Sequence, residues 1–273
     1  MKRKKLLQIW DITCSSAIIA GYLEDHGWQC KVIMRESFDK HDCSKSFRDY
    51  QNIPGRARKY YGAIVRAILS FKPNLILVRQ NYQVIPLVKL FAPRTPLIVH
   101  FHGLEVRYRK TIPWQAKLAE IRLASTRDIL RFGEFYATPI HPMYSQATSS
   151  AREKGTALFI RGYLGIHDGL EAARKFAEDN GLELDVIDRT KGEHIPHTEM
   201  PELLAKYEWY LDLKGHTTRE VISKTAIEFL TTAKNDSIGK VLTDDGDVIT
   251  SESLDYYITP LNRYLELFES AVK

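Results

Sequence analysis

The chain has 273 residues, of which 44% are hydrophobic, 11% aromatic and 27% charged. This is the composition of ordinary globular proteins, which excludes a disordered, collagen-like or coiled-coil chain and fits one or two domains. The net charge of +5 hides an asymmetry, because residues 1–150 hold 24 Lys and Arg against 11 Asp and Glu, whereas residues 151–273 hold 15 against 23.

The basic half contains a stretch without acidic residues, between Asp49 and Glu105, that holds eight Lys and Arg. It predicts an anionic partner, namely nucleic acid, an acidic membrane surface or a phosphorylated substrate, with a solvated face as the plainer alternative. No apolar run reaches the roughly 20 residues of a membrane-spanning helix, and the three cysteines show no CxxC or metal-finger spacing. We therefore expect a reduced, cytoplasmic protein that associates peripherally with the cytoplasmic face of a membrane.

In the first half, short apolar runs alternate with amphipathic segments, which is typical of βα units around a parallel sheet. The pattern predicts strands near residues 6–11, 30–34, 75–80 and 97–102, and helices near 14–26, 55–71, 82–91 and 114–124. The runs Leu75–Val78 and Leu97–Val99 are apolar throughout, which indicates strands buried on both faces. The segment Arg56–Arg66 mixes cations and aromatic residues as an interfacial helix does.

A second series of the same kind begins near residue 156. It predicts strands at 157–161, 183–188 and 209–213, helices at 168–180, 199–206 and 221–233, a hairpin over 240–250 and a closing helix over 261–272. The resulting division is an N-terminal acceptor-side domain over 1–144, a linker over 145–155, a nucleotide-sugar domain over 156–255 and a C-terminal helix over 256–273. Two unequal doubly wound α/β domains would bind ligands in a cleft, at strand carboxyl ends and helix amino ends.

The most informative segment runs from a strand through a loop to a helix start. The helix is expected to open at Ser223, with Ser223 and Thr225 in its first turn. Glu220 in the loop and Glu228 in the helix are separated by seven residues, and the backbone N–H groups near Ser223, Lys224 and Thr225 lie between them. A diphosphate fits there, since each charge-assisted hydrogen bond contributes about 1.5–3 kcal/mol. Two solvent-facing glutamates are the plainer interpretation of the spacing alone.

This segment resembles the retaining glycosyltransferases of the two-Rossmann, GT-B type, especially family 4. The resemblance extends in outline over most of the chain, and the order of its segments matches the family: Pro73–Val78, Pro96–Gly103, Ser125–Leu130 as a closing strand, Ala137–Pro142, Phe159–Leu164 and Met200–Tyr207. It implies two Rossmann-like domains that face a cleft.

The resemblance also implies roles for single residues. Glu220 would lie beside the donor sugar, Glu228 would bind the nucleotide ribose, and the helix start would receive the diphosphate. His102 would contact the sugar and the reacting centre, although a histidine at a strand end also has a purely structural explanation. The family works without a metal or other cofactor, with the nucleotide sugar as donor substrate.

The chain departs from the family where the diphosphate charge is neutralised. Gly162-Tyr163-Leu164 and Asp168-Gly169 stand where the family usually has Gly-Arg-Leu and Lys-Gly. The missing positive charge then has to come from elsewhere, because a leaving nucleoside diphosphate needs it. The candidates are Arg161, Lys214, Arg219 and Lys224.

Two further motifs are weak signals for a metal. His100 and His102 lie on one strand face, but no third ligand is evident. Asp245-Gly246-Asp247 matches the DxD pattern, yet its position in a hairpin favours a turn. We therefore predict no metal site.

The sequence as a whole predicts a retaining glycosyltransferase that moves a sugar from a nucleotide-sugar donor to a glycan or lipid-linked acceptor bound by the basic domain. Anionic membrane is the expected peripheral partner, and a nucleic-acid acceptor stays open. Two alternatives belong to other classes: a catalytically inactive nucleotide- or glycan-binding module, and a nucleic-acid-binding protein without enzymatic activity.

Overall fold

The computed structural model describes residues 3–11, 15–39, 43, 47–137, 152–161, 169–193, 195–196, 199–215, 217, 221–232, 239–257 and 261–272. The chain divides into two compact units. Unit 1 comprises Met1–Pro142 and Thr259–Lys273, and unit 2 comprises Met143–Ile258. The predicted linker over 145–155 stays a prediction, because residues 138–151 lie outside the described part of the chain.

Unit 1 is built on a seven-stranded sheet in which every neighbouring pair is parallel. Its strands are β1 (Lys5–Ile9), β2 (Gln29–Arg35), β3 (Tyr50–Ile53), β4 (Leu75–Arg79), β5 (Leu97–Phe101), β6 (Ile121–Ala124) and β7 (Tyr136–Ala137). The spatial order is β3-β2-β1-β4-β5-β6-β7. The chain therefore reverses its direction of travel across the sheet between β1 and β4, which is the switch point of a doubly wound fold.

Helices cover both faces of this sheet. They are α1 (Ser15–Asp25), α2 (Ala57–Phe71), α3 (Ile85–Phe91), the short α4 (Leu104–Arg107) and α8 (Leu261–Ala271). Successive residues of β4 enter different core clusters, with Ile76 and Val78 in one and Leu75 and Leu77 in the other. The strand is buried on both faces, as the sequence predicts. The predicted closing helix is also confirmed, and it belongs to unit 1.

Unit 2 contains a five-stranded sheet in the order β12-β11-β10-β8-β9. The strands are β8 (Glu153–Arg161), β9 (Glu183–Asp188), β10 (Tyr207–Asp212), β11 (Lys240–Thr243) and β12 (Val248–Thr250), and the helices are α5 (Leu170–Asp179), α6 (Met200–Leu204) and α7 (Lys224–Thr231). The first four strands are parallel, and β12 pairs with β11 antiparallel. The predicted hairpin is confirmed, and Asp245–Asp247 forms its turn, where Gly246 has φ +81°.

Three predictions for unit 1 are wrong. The predicted helix over 114–124 is a 3-10 helix over Trp114–Leu118 followed by β6, and the predicted closing strand over Ser125–Leu130 is a turn leading into a 3-10 helix over Arg127–Phe132. Both errors arise because β6 has only four residues, too few for its alternation to be recognised. The expectation of reduced cysteines fails for Cys43, which is disulfide-bonded, whereas Cys30 is free and buried.

Within the described residues, no helix combines the length and apolar character needed to cross a membrane. The predicted absence of such a helix rests on the same property of the sequence, since the longest helix, α2, has 15 residues and carries charges on its exposed face.

Candidate functional site

The carboxyl edge of the unit 2 sheet collects charged side chains. β8 ends in Arg161, β9 in Asp188 and β10 in Asp212, and Asp244 directly follows β11. These strands are parallel, so all four residues lie at the same edge. This is the edge at which doubly wound folds bind ligands.

Arg161 and Asp188 form one ion pair at this edge. Arg161 Nη1 lies 2.9 Å from Asp188 Oδ2, and Asp188 Oδ1 accepts hydrogen bonds from the hydroxyl and the backbone N–H of Thr190, at 2.5 and 3.0 Å. The Thr190 hydroxyl, with help from the Arg161 guanidinium, lowers the pKa of Asp188 to about 2. The pair places Arg161, a predicted phosphate contact, at the edge with 24% of its side chain exposed.

Asp212 joins the loop after β10 to the start of α7. Its carboxylate is fully buried, accepts the Ser223 N–H at 2.7 Å and lies 2.9 Å from Lys214 Nζ. Burial lowers the pKa of Lys214, but the Asp212 carboxylate and the nearby Tyr210 hydroxyl outweigh burial, and the pKa rises to about 12. Lys214 is therefore a fixed cation at this edge, and a quarter of its side chain is exposed.

Asp244 shapes the same loop from β11. One of its carboxylate oxygens accepts hydrogen bonds from the Thr217 N–H and hydroxyl, both at 2.7 Å, and from the Lys214 N–H at 3.2 Å. The Thr217 hydroxyl also contacts the Asp212 carbonyl oxygen. Two neighbouring strands thus fix the backbone from which the Lys214 side chain extends.

Helix α7 begins where the sequence predicts. Ser223 is its N-cap residue, in extended conformation, and its hydroxyl oxygen accepts the Ala226 N–H at 3.2 Å. Lys224 and Thr225 form the first turn, and Thr225 is half-buried. The cap and the Asp212 carboxylate together hold the helix start at the carboxyl edge of the sheet.

Lys224 and Glu228 pair with each other one helical turn apart. Lys224 Nζ lies 2.9 Å from Glu228 Oε1, and Glu228 is 7% exposed. The structure thus brings together two residues for which the sequence predicts separate contacts with the diphosphate and the ribose. The paired carboxylate Glu220, like Arg219, Tyr163 and Asp168, lies outside the described residues.

In unit 1, His102 follows β5 at the carboxyl edge of the sheet. Its Nδ1 lies 3.2 Å from the Ser125 hydroxyl, and its ring centroid is 4.6 Å from that of His100, so the two imidazoles share a face as predicted. The Glu105 carboxylate accepts the His102 N–H at 3.0 Å, and burial raises the pKa of Glu105. Gly103 has φ +117°, and a Cβ there would come within 2.7 Å of the Arg107 guanidinium.

The described residues contain no group of three His, Cys, Asp or Glu side chains that could hold a metal ion. The two imidazoles are instead connected to polar groups of the neighbouring strands. His100 is fully buried and bonds to Arg79 and Ser125, at 3.0 and 2.7 Å.

Sequence reasoning missed several polar residues at these edges, notably Asp188, Asp212, Asp244, Arg79 and Ser125. A usable signal exists for most of them, because each is a charged or polar residue at or just after the end of an apolar strand. Their partners come from other strands, which a single sequence does not identify.

No family model matches the sequence, and no curated protein sequence matches it. Solved structures match in fold. The spinosyn forosaminyltransferase SpnP superimposes with a TM-score of 0.54 at 12% identity, over 89% of this chain and 80% of that chain. The glycosyltransferase VinC in complex with dTDP gives 0.52 at 8% identity, over 98% and 99%. The UDP-GlcNAc 2-epimerase of Methanocaldococcus jannaschii, in complex with UDP-GlcNAc and UDP, gives 0.52 at 12%, over 100% and 93%.

These similarities confirm the predicted fold class, an α/β protein with two Rossmann-like domains of the GT-B type. At identities this low they establish the fold alone. The more specific resemblance to retaining family 4 stays a prediction.

Proposed function

We propose that the protein is a glycosyltransferase that uses a nucleotide sugar and retains the configuration at the anomeric carbon. The observation that carries this proposal is the carboxyl edge of the unit 2 sheet, where the capped start of α7 lies beside Lys214, and the edge also carries Arg161. Helix N–H groups together with partly exposed cations suit a diphosphate. The similarity in fold to a forosaminyltransferase and to a glycosyltransferase that binds dTDP supports this choice.

The proposed roles follow from the sequence resemblance and from these contacts. Arg161 and Lys214 supply the positive charge that the departures at Tyr163 and Asp168 remove from the family pattern. Glu228, oriented by its pairing with Lys224, accepts hydrogen bonds from the ribose. The backbone N–H groups at the helix start bind the diphosphate.

The remaining two roles concern the sugar. Glu220 contacts the donor sugar, and His102 is the catalytic residue from unit 1. Both roles come from the resemblance and form part of the proposal. Neither needs a bound metal or other cofactor.

A second candidate function is epimerisation of a nucleotide sugar. The specific observation is the similarity to the UDP-GlcNAc 2-epimerase, which covers the whole of this chain at a TM-score equal to that of VinC. Both functions require the same nucleotide-sugar site, so the reaction product has to distinguish them.

The test begins with thermal shift measurements of the full-length protein with UDP, dTDP and their sugar conjugates. A ligand at 100 times its dissociation constant adds about 2.7 kcal/mol of stability, which is easily detected. Proton NMR of the reaction mixture then identifies the product. A new glycosidic bond with the anomeric configuration of the donor supports the proposal, whereas a change at C2 without any acceptor supports epimerisation. Binding without turnover identifies an inactive module, and absence of nucleotide binding rejects both enzymatic functions.

Lys214→Met is the sharpest site variant, and Lys240→Met is its matched control. Each lysine pairs with an acid from β10, but Lys214 lies at the carboxyl edge and Lys240, 2.8 Å from Glu208, at the amino edge. We expect Lys214→Met to weaken nucleotide diphosphate binding about tenfold, the effect of one charge-assisted hydrogen bond. Lys240→Met should leave the affinity unchanged.

We further propose that the acceptor is lipid-linked and that unit 1 docks on an anionic membrane. Helix α3 packs against α2 and against the 3-10 helix over 114–118. Each of these elements exposes a large apolar side chain: Leu69 is 56%, Leu90 72% and Trp114 63% exposed. Exposed cations such as Arg66 and Lys72 accompany them on α2 and at its end. Apolar side chains beside basic ones suit the interface of an anionic bilayer.

Sedimentation with lipid vesicles tests this contact. We expect the protein to bind vesicles with 30% phosphatidylglycerol and not vesicles of pure phosphatidylcholine, and Leu90→Ser to reduce the binding. Ile-to-Val exchange at the buried Ile64 of α2 is the control. Equal binding to both vesicle types, or an effect of Leu90→Ser no larger than the control, refutes membrane docking. Salt-sensitive binding to single-stranded RNA would instead favour nucleic acid.

A further inference from the structure

Four polar side chains form a continuous hydrogen-bonded chain along the carboxyl edge of the unit 1 sheet. Arg79 ends β4, His100 lies in β5, Ser125 follows β6, and these strands are neighbours. Arg79 Nη1 lies 3.0 Å from His100 Nδ1, His100 Nε2 lies 2.7 Å from Ser125 Oγ, and Ser125 Oγ lies 3.2 Å from His102 Nδ1. Arg79 and His100 are completely buried, and Ser125 is 3% exposed, whereas His102 is half-buried.

The direction of these bonds follows from the chemistry of the first residue. A guanidinium only donates hydrogen bonds, so His100 Nδ1 accepts from Arg79 and carries no proton. His100 is then neutral with its proton on Nε2, from which it donates to the Ser125 oxygen. A second proton on His100 would bring two cations within 3.0 Å of each other in a buried site.

The serine transmits this direction to His102. Among the described residues, the Ser125 hydroxyl contacts only the two imidazoles, and its oxygen already accepts from His100. The hydroxyl proton therefore points to His102 Nδ1, because a buried donor without an acceptor costs about 1–3 kcal/mol. His102 Nδ1 accepts this bond, and the proton of His102 is on Nε2.

We propose that Arg79, His100 and Ser125 are positioning residues that hold His102 as the neutral tautomer protonated on Nε2. His102 then acts as a hydrogen-bond donor to an oxygen of the nucleotide sugar and not as a base that removes a proton. This role rests on the proposed function, whereas the tautomer is a property of the protein alone. The chain of bonds fixes the donor before any substrate arrives, so that binding pays no cost for selecting the tautomer.

NMR of the full-length protein labelled with 15N-histidine tests the tautomer without any ligand. Couplings between ring protons and ring nitrogens identify which nitrogen carries the proton, and the missing signals of His102→Gln assign the residue. We expect His102 to carry its proton on Nε2 alone. A proton on Nδ1, or a doubly protonated ring at neutral pH, overturns the proposal.

Two variants of the serine separate positioning from packing. Ser125→Ala removes the donor to His102 Nδ1, so we expect a population protonated on Nδ1 to appear. Ser125→Thr keeps the hydroxyl and should restore the spectrum of the original protein. Identical His102 spectra for Ser125→Ala and Ser125→Thr would refute the relay even where both variants fold.

Substrate binding tests the donor role. The amide nitrogen of a glutamine can occupy the position of Nε2, whereas that of an asparagine is closer to the position of Nδ1. We therefore expect His102→Gln to bind the nucleotide sugar about fivefold more tightly than His102→Asn, the effect of one hydrogen bond. Equal affinities refute the donor role. If no nucleotide sugar binds the unaltered protein, the proposed function fails, while the NMR result on the tautomer still decides the relay.

Discussion

Replacing Asp212 by asparagine removes the charge that connects the loop after β10 to the start of α7. The carboxylate is buried and holds two donors, the Ser223 N–H at 2.7 Å and the Lys214 ammonium at 2.9 Å. An asparagine keeps one carbonyl oxygen for the Ser223 N–H. Its amide NH2 group then faces the ammonium, where a second donor cannot replace the carboxylate.

The expected cost follows from these contacts. A hydrogen bond to a charged group contributes about 1.5–3 kcal/mol, but Lys214 is one quarter exposed and its ammonium regains some hydration in the variant. We expect Asp212→Asn to lower the free energy of unfolding of unit 2 by about 2 kcal/mol. Urea denaturation followed by circular dichroism should show a decrease of about 1 M in the midpoint of that transition.

The pH dependence of this difference has a definite sign. The pKa of Lys214 is raised in the folded protein from 10.5 to about 12, so the ion pair stabilises the fold fully below pH 10.5 and is lost as the pH rises through about 12. The gap between the unaltered protein and Asp212→Asn should therefore close over this range. In the variant, burial is no longer opposed, and the pKa of Lys214 should fall.

Glu208→Gln is the control for these measurements. Glu208 pairs with Lys240 at 2.8 Å on the same two strands, but both side chains are more exposed, and we expect a cost below about 1 kcal/mol. The reasoning is refuted if Asp212→Asn destabilises unit 2 no more than Glu208→Gln does, or if its effect is constant between pH 10 and pH 12.

Three further predictions concern the frame of the same unit. A Cβ at Gly169, just before α5, would overlap the carbonyl oxygen of Leu213, so Gly169→Ala should lower stability by about 1–3 kcal/mol in urea denaturation. Arg152 donates to three backbone carbonyl oxygens and is 8% exposed, so Arg152→Met should cost about 3 kcal/mol, whereas Arg152→Lys, which keeps one donor group, should cost less. The lowered pKa of Asp188 means that its contribution to stability is complete above pH 3.8 and is lost as the pH falls through about 2; acid titrations of the protein and of Asp188→Asn should differ in this range.

Much of the fold could be predicted because its signals are local. The strands β4 and β5 are continuous apolar runs, and such runs are buried on both faces wherever a parallel sheet forms. Ser223 could be identified as a helix cap because a serine before an amphipathic segment satisfies the first N–H groups by itself. The hairpin of β11 and β12 was predictable from Asp-Gly between two β-prone runs.

The candidate site was less predictable because its chemistry depends on partners distant in sequence. Asp212 precedes Ser223 by 11 residues, and Arg79 precedes His100 by 21. The spacing of Lys224 and Glu228 is that of an i,i+4 ion pair. The sequence analysis assigned these two residues to different parts of a ligand, since the family resemblance outweighed this simpler local rule.

The position of α8 has a consequence for how the protein is made. Tyr264 and Phe268 are buried in the same core cluster as Trp28, and the rings of Phe268 and Trp28 lie 6.5 Å apart. Unit 1 is therefore completed by a helix that leaves the ribosome only after all of unit 2 has been synthesised. During translation the earlier segment has to wait with an open apolar groove, while the inserted segment can already adopt its final form.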